Sequence, residues 1–432
     1  MKAKTKAILF FHLLLFFKVK VHGVEQTKEL MTWNSCLKKA LEVHPKVKAS
    51  ELTYKAYLDQ EISAQSGYYP QIKGQVSVVK SFNDLSTDKT SETTSGSFIL
   101  TQNLFSGFLD VQRAKEAQTR SKMAFLDWEY AKKEVTLELK KTYVEWVNQY
   151  KLNDFANKTL ARRKENLNIV KLRYSSGREN KGAVVLSEAY YQESLYDQKN
   201  SEKNLLNIQG KILSQFLFET INSEDFTEKV LFLPEKMIRQ TEPLKNSELP
   251  DKVLKTVDYR KAVLSEELLS TLRFKAQSDF YPSLDLAGSW GYFDEQFPLN
   301  KQKWNVGLTL TIPLFTGGKN TSDYKAALKN FNAQSFIKKN SYQENLSNLR
   351  QINLSFTLSL EKYKVDQKFA EAASIRAEIA KQKYNNGLMT FEDWDKIESE
   401  LIQREKTVLS SEKEILLNEA NLEYLLTNEE SQ

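Results

Sequence analysis

Few side chains in this sequence have the residue types and spacing that catalysis or metal binding requires. Histidine occurs three times, at His12, His22 and His44, and the first two lie in an apolar N-terminal segment. Cys36 is the only cysteine, so no intramolecular disulfide can form, and a buried, inert thiol is the simplest interpretation. No Ser–His–Asp arrangement, metal-ligand spacing or phosphate-binding loop is recognisable. The sequence therefore predicts no catalytic residue, no cofactor site and no metal site, and a protein that is not an enzyme.

Acidic side chains are concentrated at one of two breaks in a long helical pattern, in Phe391-Glu392-Asp393-Trp394-Asp395. Acids at a helix N-terminus stabilise the helix by about 0.3–1 kcal/mol each through its dipole, a role that needs no further function. Arg178 and Lys181 lie at the other break, where isolated bases are typically solvated. These two breaks are the best candidates for a functional site in the chain.

The segments around the two breaks are related by an internal duplication. Three landmarks recur in the same order, at offsets of 210 or 212 residues: Leu104-Phe105-Ser106-Gly107 with Leu314-Phe315-Thr316-Gly317, Tyr174-Ser175-Ser176-Gly177 with Tyr384-Asn385-Asn386-Gly387, and Tyr69-Pro70 with Tyr281-Pro282. Matched landmarks at nearly one spacing indicate two copies of one structural plan.

A strand-to-helix join is the clearest element of that plan. Four apolar residues alternate with small or polar ones and predict a strand with one apolar face: Val306, Leu308, Leu310 and Ile312. A proline then ends the strand because it cannot donate to a sheet, and glycine permits a sharp change of direction. The residues assigned to the joins are Phe105 and Gly107 in the first half and Pro313, Phe315, Gly317 and Gly318 in the second.

Helices dominate the rest of the plan. Helices are predicted over 32–66, 107–173, 183–216, 251–279, 319–384 and 391–427, strands over 72–79, 97–102, 284–293 and 304–312, and polar loops over 81–95 and 294–303. A helix of roughly 65 residues would be about 100 Å long, which is typical of coiled coils and helical tunnels rather than of globular domains. The shorter helices are predicted to stack end to end beside each long one.

The duplication also predicts the domain organisation: a signal peptide over 1–23, a first repeat over 24–216, a linker over 217–250 and a second repeat over 251–432. Lysines followed by an apolar run too short to span a membrane indicate the signal peptide. No later segment approaches about 20 apolar residues, so no transmembrane helix is predicted in the mature chain. Without the five lysines that precede residue 25, 57 basic and 56 acidic residues remain, a balance that gives no support to nucleic-acid binding.

Four amphipathic strands suggest a membrane sheet that one chain cannot complete. Four strands are too few to close a barrel, and lipid does not tolerate an open sheet edge. Three copies would supply twelve strands, a plausible number for a closed barrel. Trp290, Tyr292 and Trp304 fit an aromatic girdle at the membrane surface. The alternative at this point is a soluble sheet packed on one face.

The sequence resembles the TolC family of outer-membrane efflux proteins over about residues 30–427. Four features carry the resemblance: the duplicated helix–strand–strand–helix plan, the Tyr-Pro strand entries, the Ile-Pro-Leu-Phe-Thr-Gly-Gly join and the Tyr-x-x-Gly breaks. The resemblance implies a homotrimer with a twelve-stranded barrel in the outer-membrane lipid of a Gram-negative cell and a long periplasmic helical tunnel. It also implies docking to a periplasmic adaptor (membrane fusion) protein and an inner-membrane pump of RND or ABC type. The tips that would contact the adaptor carry Tyr174, Gly177, Tyr384 and Gly387.

The resemblance also places the two breaks at the periplasmic end, as a gate. Three copies of Asp393 and Asp395 would form a ring of carboxylates that attracts cations and resists closure unless it is neutralised. Arg178 and Lys181 are the available partners.

The predicted fold is mainly α with a small membrane β-barrel part, in which duplicated helical hairpins form an α-barrel tunnel. The predicted function is a passive, trimeric exit duct of a tripartite efflux or type I secretion system, gated at its periplasmic tip. The alternative is a secreted periplasmic coiled-coil structural or adaptor protein without a membrane barrel. The cargo stays open between drugs, metal ions and secreted protein.

Overall fold

The computed structural model describes residues 29–82, 90–218, 232–295 and 297–426, so the predicted signal peptide lies outside the described residues. The first half contains β1 (Glu29–Met31), α1 (Trp33–Val43), α2 (Pro45–Ala64), β2 (Gln71–Phe82), β3 (Thr90–Phe105), α3 (Leu109–Ser175) and α4 (Lys181–Gln215). The second half contains β4 (Phe232–Pro234), α5 (Leu249–Leu254), α6 (Val257–Ser278), β5 (Ser283–Asp294), β6 (Lys301–Thr311), α7 (Lys319–Asn385) and α8 (Phe391–Leu425).

The two long helices, and the helices that follow them, reproduce the duplication residue for residue. Helices α3 and α7 each contain 67 residues, and α4 and α8 each contain 35. Helices α7 and α8 begin 210 residues after α3 and α4, and α6 begins 212 residues after α2, which are the two offsets that the sequence landmarks predict. The two halves therefore share one helical plan.

Two predicted helices are each divided in the structure. The helix predicted over 32–66 is α1 and α2, because Pro45 occupies the first position of α2, where its missing N–H is not needed, and the His44 side chain accepts from Lys46 N. The helix predicted over 251–279 is α5 and α6, because Thr256 caps α6 by accepting from Tyr259 N. In both places a capping side chain starts a new helix within a continuous apolar pattern.

Four strands form one antiparallel sheet in the order β2-β3-β5-β6. Strands β2 and β6 are its edges. The loop predicted over 81–95 is wrong at both ends, because β2 continues to Phe82 and β3 begins at Thr90. The start of β3 over residues 90–95 has the sequence Thr-Ser-Glu-Thr-Thr-Ser, so no alternation of apolar and polar residues marks the strand there.

The long helix α3 is the centre of the helical packing. It contacts α2 and α4 of its own repeat and α6 and α8 of the other, while α7 packs against α5, α6 and α8. One buried cluster on α3 contains Leu139, Tyr143 and Trp146 together with Cys36, which is 1% exposed, as predicted for an inert thiol. Within the described part of the chain, no helix has both the length and the apolar character needed to cross a bilayer.

A segment over residues 232–248, called here the connector, lies between the two predicted repeats, and side chains of the helices bond to its backbone. β4 pairs in parallel with β1, and the Tyr143 hydroxyl donates to Met31 O and accepts from Glu235 N at 2.7 and 2.9 Å. Farther along, Glu419 accepts from two connector amides, and Asn353 bonds both the N–H and the C=O of Leu244. Side chains of three helices thus fix the connector against the helical body.

Candidate functional site

One face of the sheet is apolar and unpacked within the chain. Cross-strand partners in an antiparallel sheet share a face, so the register places apolar residues in continuous rows: Ile72, Leu100, Gly288 and Val306; Gly74, Phe98, Trp290 and Trp304; Leu286 and Leu308; Leu284 and Leu310. Val306, Leu308 and Leu310 are 60–70% exposed. The other face carries mostly polar rows, such as Lys73, Ile99, Ser289 and Asn305. The alternation read from the sequence therefore corresponds to two chemically different faces.

Aromatic side chains bound this apolar face at two levels. Away from the helices, Trp290 stacks on Phe98 with centroids 6.3 Å apart and meets Tyr292 edge to face at 5.4 Å. At the helical end, the ring of Tyr281 meets the ring of Phe108 edge to face at 5.9 Å. Tyr281 precedes Trp290 by nine residues, most of them in β5, so at about 3.3 Å per residue and the tilt of about 40° found in membrane barrels the two levels would be about 23 Å apart. That height is close to the apolar band of about 25 Å on known membrane barrels.

The two strand-to-helix joins share a left-handed backbone. Gly107 and Gly317 both have φ of +63°, followed by Phe108 at +70° and Gly318 at +83°. A non-glycine residue rarely adopts this conformation. Phe108 is held there by edge-to-face contacts with Phe105 at 5.2 Å and with Tyr281 at 5.9 Å.

The joins differ in what covers them. A Cβ at Gly107 would lie 2.7 Å from Ser278 O, at the end of α6, whereas a Cβ at Gly317 would meet no described atom of the chain within 4 Å. In the second join, Leu314 and Phe315 are 90% and 89% exposed, and Pro313 lies two residues after the last residue of β6, Thr311. The first join is therefore packed against the second repeat, and the second join is uncovered within one chain.

At the opposite end of the helices, two tight turns form the tip. Gly177 and Gly387 have φ of +71° and +77° and follow α3 and α7. In each turn a backbone N–H returns to the helix: Arg178 N donates to Arg173 O at 2.8 Å and Leu388 N to Lys383 O at 2.9 Å. A glycine in this conformation is a common helix terminator, which explains why both predicted breaks occur at Tyr-x-x-Gly.

Tyr384 joins the two turns from inside the tip. Its ring stacks on Trp394 at 4.4 Å and lies under the Arg173 guanidinium at 4.6 Å, and its hydroxyl donates to Glu179 at 2.9 Å. Burial and the neighbouring carboxylate raise the pKa of Tyr384, which keeps the phenol protonated. Because the side chain is fully buried, it is a core residue of the tip, whereas Tyr174 is 45% exposed and the two turn glycines lie at the surface.

The acids of the second turn have separate partners within the chain. Asp393 belongs to a helix cap, in which Thr390 Oγ1 accepts from Asp393 N at 3.1 Å and donates to the carboxylate at 2.9 Å. Asp395 pairs with Arg163 of α3 at 2.9 Å, with only 14% and 9% of the two side chains exposed. Among the ion pairs of the described residues, none joins Arg178 or Lys181 to either acid.

Sequence reasoning missed the basic pair on α3. Arg163 also donates to Ser399 at 3.0 Å and lies over the Tyr190 ring at 4.6 Å. Arg162 lies 3.5 Å from Glu398, which is 4% exposed; burial raises the pKa of Glu398, and the two arginines oppose that rise. The dibasic pair lies within a long helix, about three turns before its end at Ser175, so only the folded arrangement reveals its partners.

Comparison with known proteins identifies what this architecture resembles. A family model described as outer membrane efflux protein matches residues 36–209 and 260–428. The two matched segments fall in the two repeats. No curated protein matches the chain by sequence.

Solved structures share the fold across nearly the whole chain. The outer membrane protein VceC from Vibrio cholerae superposes with a TM-score of 0.78 at 15% identity, covering 91% of this chain and 95% of that one. The Campylobacter jejuni CmeC outer membrane channel gives a TM-score of 0.76 at 15% identity, with 92% and 87% covered. The open state of the Neisseria gonorrhoeae MtrE outer membrane channel gives 0.77 at 17% identity, with 91% and 88% covered.

Proposed function

Because the chain belongs to the outer membrane efflux protein family, we propose that it is the passive exit duct of a tripartite efflux or type I secretion system. The family match confirms the resemblance to TolC-like channels and the outer-membrane location. The observation that carries the proposal is the pairing of a membrane-type sheet with helices about 100 Å long. This arrangement gives no support to a rod-like adaptor without a membrane part.

The sheet is the first reason to propose a homotrimer. Its edge strands β2 and β6 pair on one side only, and its apolar face is exposed. In lipid every backbone N–H and C=O needs a partner, so the sheet could span a membrane only as part of a closed barrel. Three copies would supply twelve strands, an even number within the range of bacterial barrels.

The joins supply the second reason. The first join packs on Tyr281 of the second repeat, but the matching surfaces of the second join and of Tyr69 are exposed, at 89% for Phe315 and 64% for Tyr69. Since Tyr69 corresponds to Tyr281 in the duplication, the second join of one copy would fit the Tyr69 segment of the next. The contact between a strand-to-helix join and a Tyr-Pro segment would then form once within each chain and once between neighbouring chains.

The tip is proposed as the gate of the duct. The MtrE structure is described as an open state, and this chain is proposed to have open and closed states as well. In the closed state, Asp393 and Asp395, or one of them, would line the constriction, and Arg178 or Lys181 of the first repeat would hold it shut by charge pairing. The contacts of Tyr384 with Arg173 and Glu179 would hold the two turns together within each copy.

The proposed partners follow from the position of the tip. The exposed tip residues Tyr174, Gly177 and Gly387 would meet a periplasmic adaptor protein, and an RND or ABC pump in the inner membrane would supply the energy. The cargo class is best found by deleting the gene and screening for lost resistance or lost secretion. If a strain without a second such channel keeps both resistance and secretion after the deletion, the proposal is contradicted.

Planar bilayers test the gate directly. Arg178→Ser with Lys181→Ser should raise the single-channel conductance, because the unpaired acids then repel each other. Asp393→Ala with Asp395→Ala should lower the preference for cations in the open state. Lys164→Ser with Lys406→Ser removes the same charge away from the turns and should change neither property. If conductance and selectivity are unchanged in both tip variants, these residues cap helices and do not gate.

A further inference from the structure

A cavity of about 340 Å³ lies beside α3, between α1 and the end of α8, and is called here the basic cavity. Its apolar lining includes Leu37 and Leu41 of α1 and Leu137 of α3, and its charged lining includes three lysines of α3: Lys132, Lys133 and Lys140. Pockets that hold small molecules typically have volumes of about 300–1,000 Å³ and a mostly apolar lining with a few polar groups. The size and the lining of the basic cavity therefore suit a small molecule.

The lysines of the basic cavity outnumber the acids that could neutralise them. Two acids line the cavity, and each already has a basic partner: Glu423 pairs with Lys140, and Glu129 pairs with Arg260 at 3.4 Å. Among the ion pairs of the described residues, none includes either of the other two lysines. The cavity thus keeps an excess of positive charge beside its apolar surface, which favours a ligand with a negative charge.

The two remaining lysines, Lys132 and Lys133, are partly buried. The Lys132 ammonium lies 3.9 Å from the centre of the Trp128 ring, and the Lys133 ammonium donates to Leu426 O at 3.2 Å. An ammonium has three N–H donors, so this bond leaves two of those on Lys133 for a ligand. Burial lowers the pKa of Lys133, and the carboxylate of Glu129 opposes that effect in part. A further carboxylate beside Lys133 would stabilise its charged form.

The second repeat fills the corresponding space with its own apolar side chains. The offset of 212 residues that relates α2 to α6 aligns Leu37 with Leu249 and Leu41 with Val253. Leu249 and Val253 are both 0% exposed and belong to one buried cluster. Leu37 and Leu41 are only partly buried and line the basic cavity.

The long helices differ at the positions that face this space. The offset of 210 residues between α3 and α7 aligns Lys132 with Tyr342 and Thr136 with Leu346. Leu346 is buried in the same cluster as the α5 residues, and Tyr342 packs against that cluster. The first repeat thus has an ammonium and a hydroxyl where the second has packed apolar groups. The duplicated backbone carries a filled core in one repeat and a cavity with a basic lining in the other.

We propose that the basic cavity binds a small anionic amphiphile, with its carboxylate at Lys132 and Lys133 and its apolar chain against Leu37, Leu41 and Leu137. Hydrogen bonds between an ammonium and a carboxylate are charge-assisted and fix the head group, and burial of the chain adds a hydrophobic contribution. The ligand would contact α1 and α3 of the first repeat and the end of α8 in the second. Because the whole lining belongs to one chain, the proposal does not depend on the trimer or on the transport function.

Three probes with the same alkyl chain test the charge preference. Sodium octanoate, octyltrimethylammonium and 1-octanol are titrated calorimetrically into the protein in lipid nanodiscs, and titrations of empty nanodiscs are subtracted. Octanoate is expected to bind saturably at one site per chain, more weakly at about 1 M than at about 0.1 M salt, because salt screens charges that water can reach. The cationic and neutral probes should show no saturable binding. Equal binding of all three probes, or no saturable binding of octanoate, would overturn the proposal without any variant.

Two variants of the cavity and one control test the assigned residues. Lys132→Gln with Lys133→Gln should weaken octanoate binding about tenfold or more, since it removes both charged donors. Lys132→Tyr with Thr136→Leu introduces the side chains of the second repeat and should abolish binding without lowering the melting temperature. Lys164→Gln with Lys406→Gln removes the same charge away from the cavity and should leave the affinity unchanged. If neither cavity variant weakens binding, or if the control weakens it equally, octanoate binds elsewhere and the assignment is wrong.

Discussion

Replacing Gly107 and Gly317 by alanine, one at a time, tests what covers the second join in the assembled protein. Both glycines have φ of +63°, so alanine is strained by about 1–2 kcal/mol at either position. At Gly107 the new Cβ would also lie 2.7 Å from Ser278 O and 2.8 Å from Tyr281 Cβ, and relieving such crowding costs about 1–3 kcal/mol more. At Gly317 no described atom of the same chain lies within 4 Å.

A single chain would therefore lose about 2–5 kcal/mol at Gly107 but only about 1–2 kcal/mol at Gly317. In the proposed trimer, the Tyr69 segment of the neighbouring copy takes the place that Tyr281 has at the first join. Gly317→Ala is then expected to destabilise the trimer about as much as Gly107→Ala does.

Thermal dissociation of the purified trimer in mild detergent measures both effects. Gly177→Ala is the control for backbone strain alone, because Gly177 has φ of +71° and a Cβ there meets no described atom within 4 Å. If Gly317→Ala lowers the dissociation temperature no more than the control does, the neighbouring copy does not cover the second join. The argument from internal symmetry would then fail.

Three further predictions test the sheet and the tip. Leu310→Asp should cost less than the about 2–4 kcal/mol of an Arg or Lys at mid-depth, but should still reduce the trimer recovered from detergent extracts, whereas Thr309→Asp on the other face should be tolerated better; equal damage would reverse the assigned faces. Arg163→Ala should destabilise the tip by about 3–5 kcal/mol, seen as faster hydrogen exchange in α8, because Asp395 stays buried without its base; adding Asp395→Asn should recover part of the loss, and no recovery would argue against the pair. Burial raises the pKa of Glu398, so its carboxylate form disfavours the folded state, and the wild type should lose stability relative to Glu398→Gln as pH rises through that pKa. A difference in melting temperature that does not change with pH would contradict this assignment.

The ends of the long helices could be predicted from sequence because local chemistry marks them. Gly318 and Gly387 adopt positive φ, so α7 begins at Lys319 as predicted and ends one residue after the predicted Tyr384. The boundaries between α1 and α2 and between α5 and α6 are harder to predict, because the apolar pattern of the sequence continues across Pro45 and Thr256. Local sequence thus indicates where a helix must stop more clearly than where one helix replaces another.

The partners at the tip could not be predicted, because they depend on packing between the repeats. Arg163 precedes Asp395 by 232 residues and lies about three turns before the end of α3. Tyr384 was assigned to the tip surface from its place beside Gly387, but stacking on Trp394 turns its ring into the core. The alternation of the strands, by contrast, needed no tertiary information, since neighbouring residues of a strand point to opposite faces.

The equal lengths of the paired helices restrict how such a chain can be shortened or lengthened in evolution. Deleting about seven residues from α3 alone would raise its turn by about 10 Å relative to that of α7 and draw Arg173 away from Tyr384. Both turns stay level only if α3, α4, α7 and α8 lose the same number of residues at matching heights. Insertions and deletions are therefore expected in coordinated sets of four, or among the exposed residues of the connector over 232–248, where hydrogen bonds to backbone atoms do not depend on the side chain.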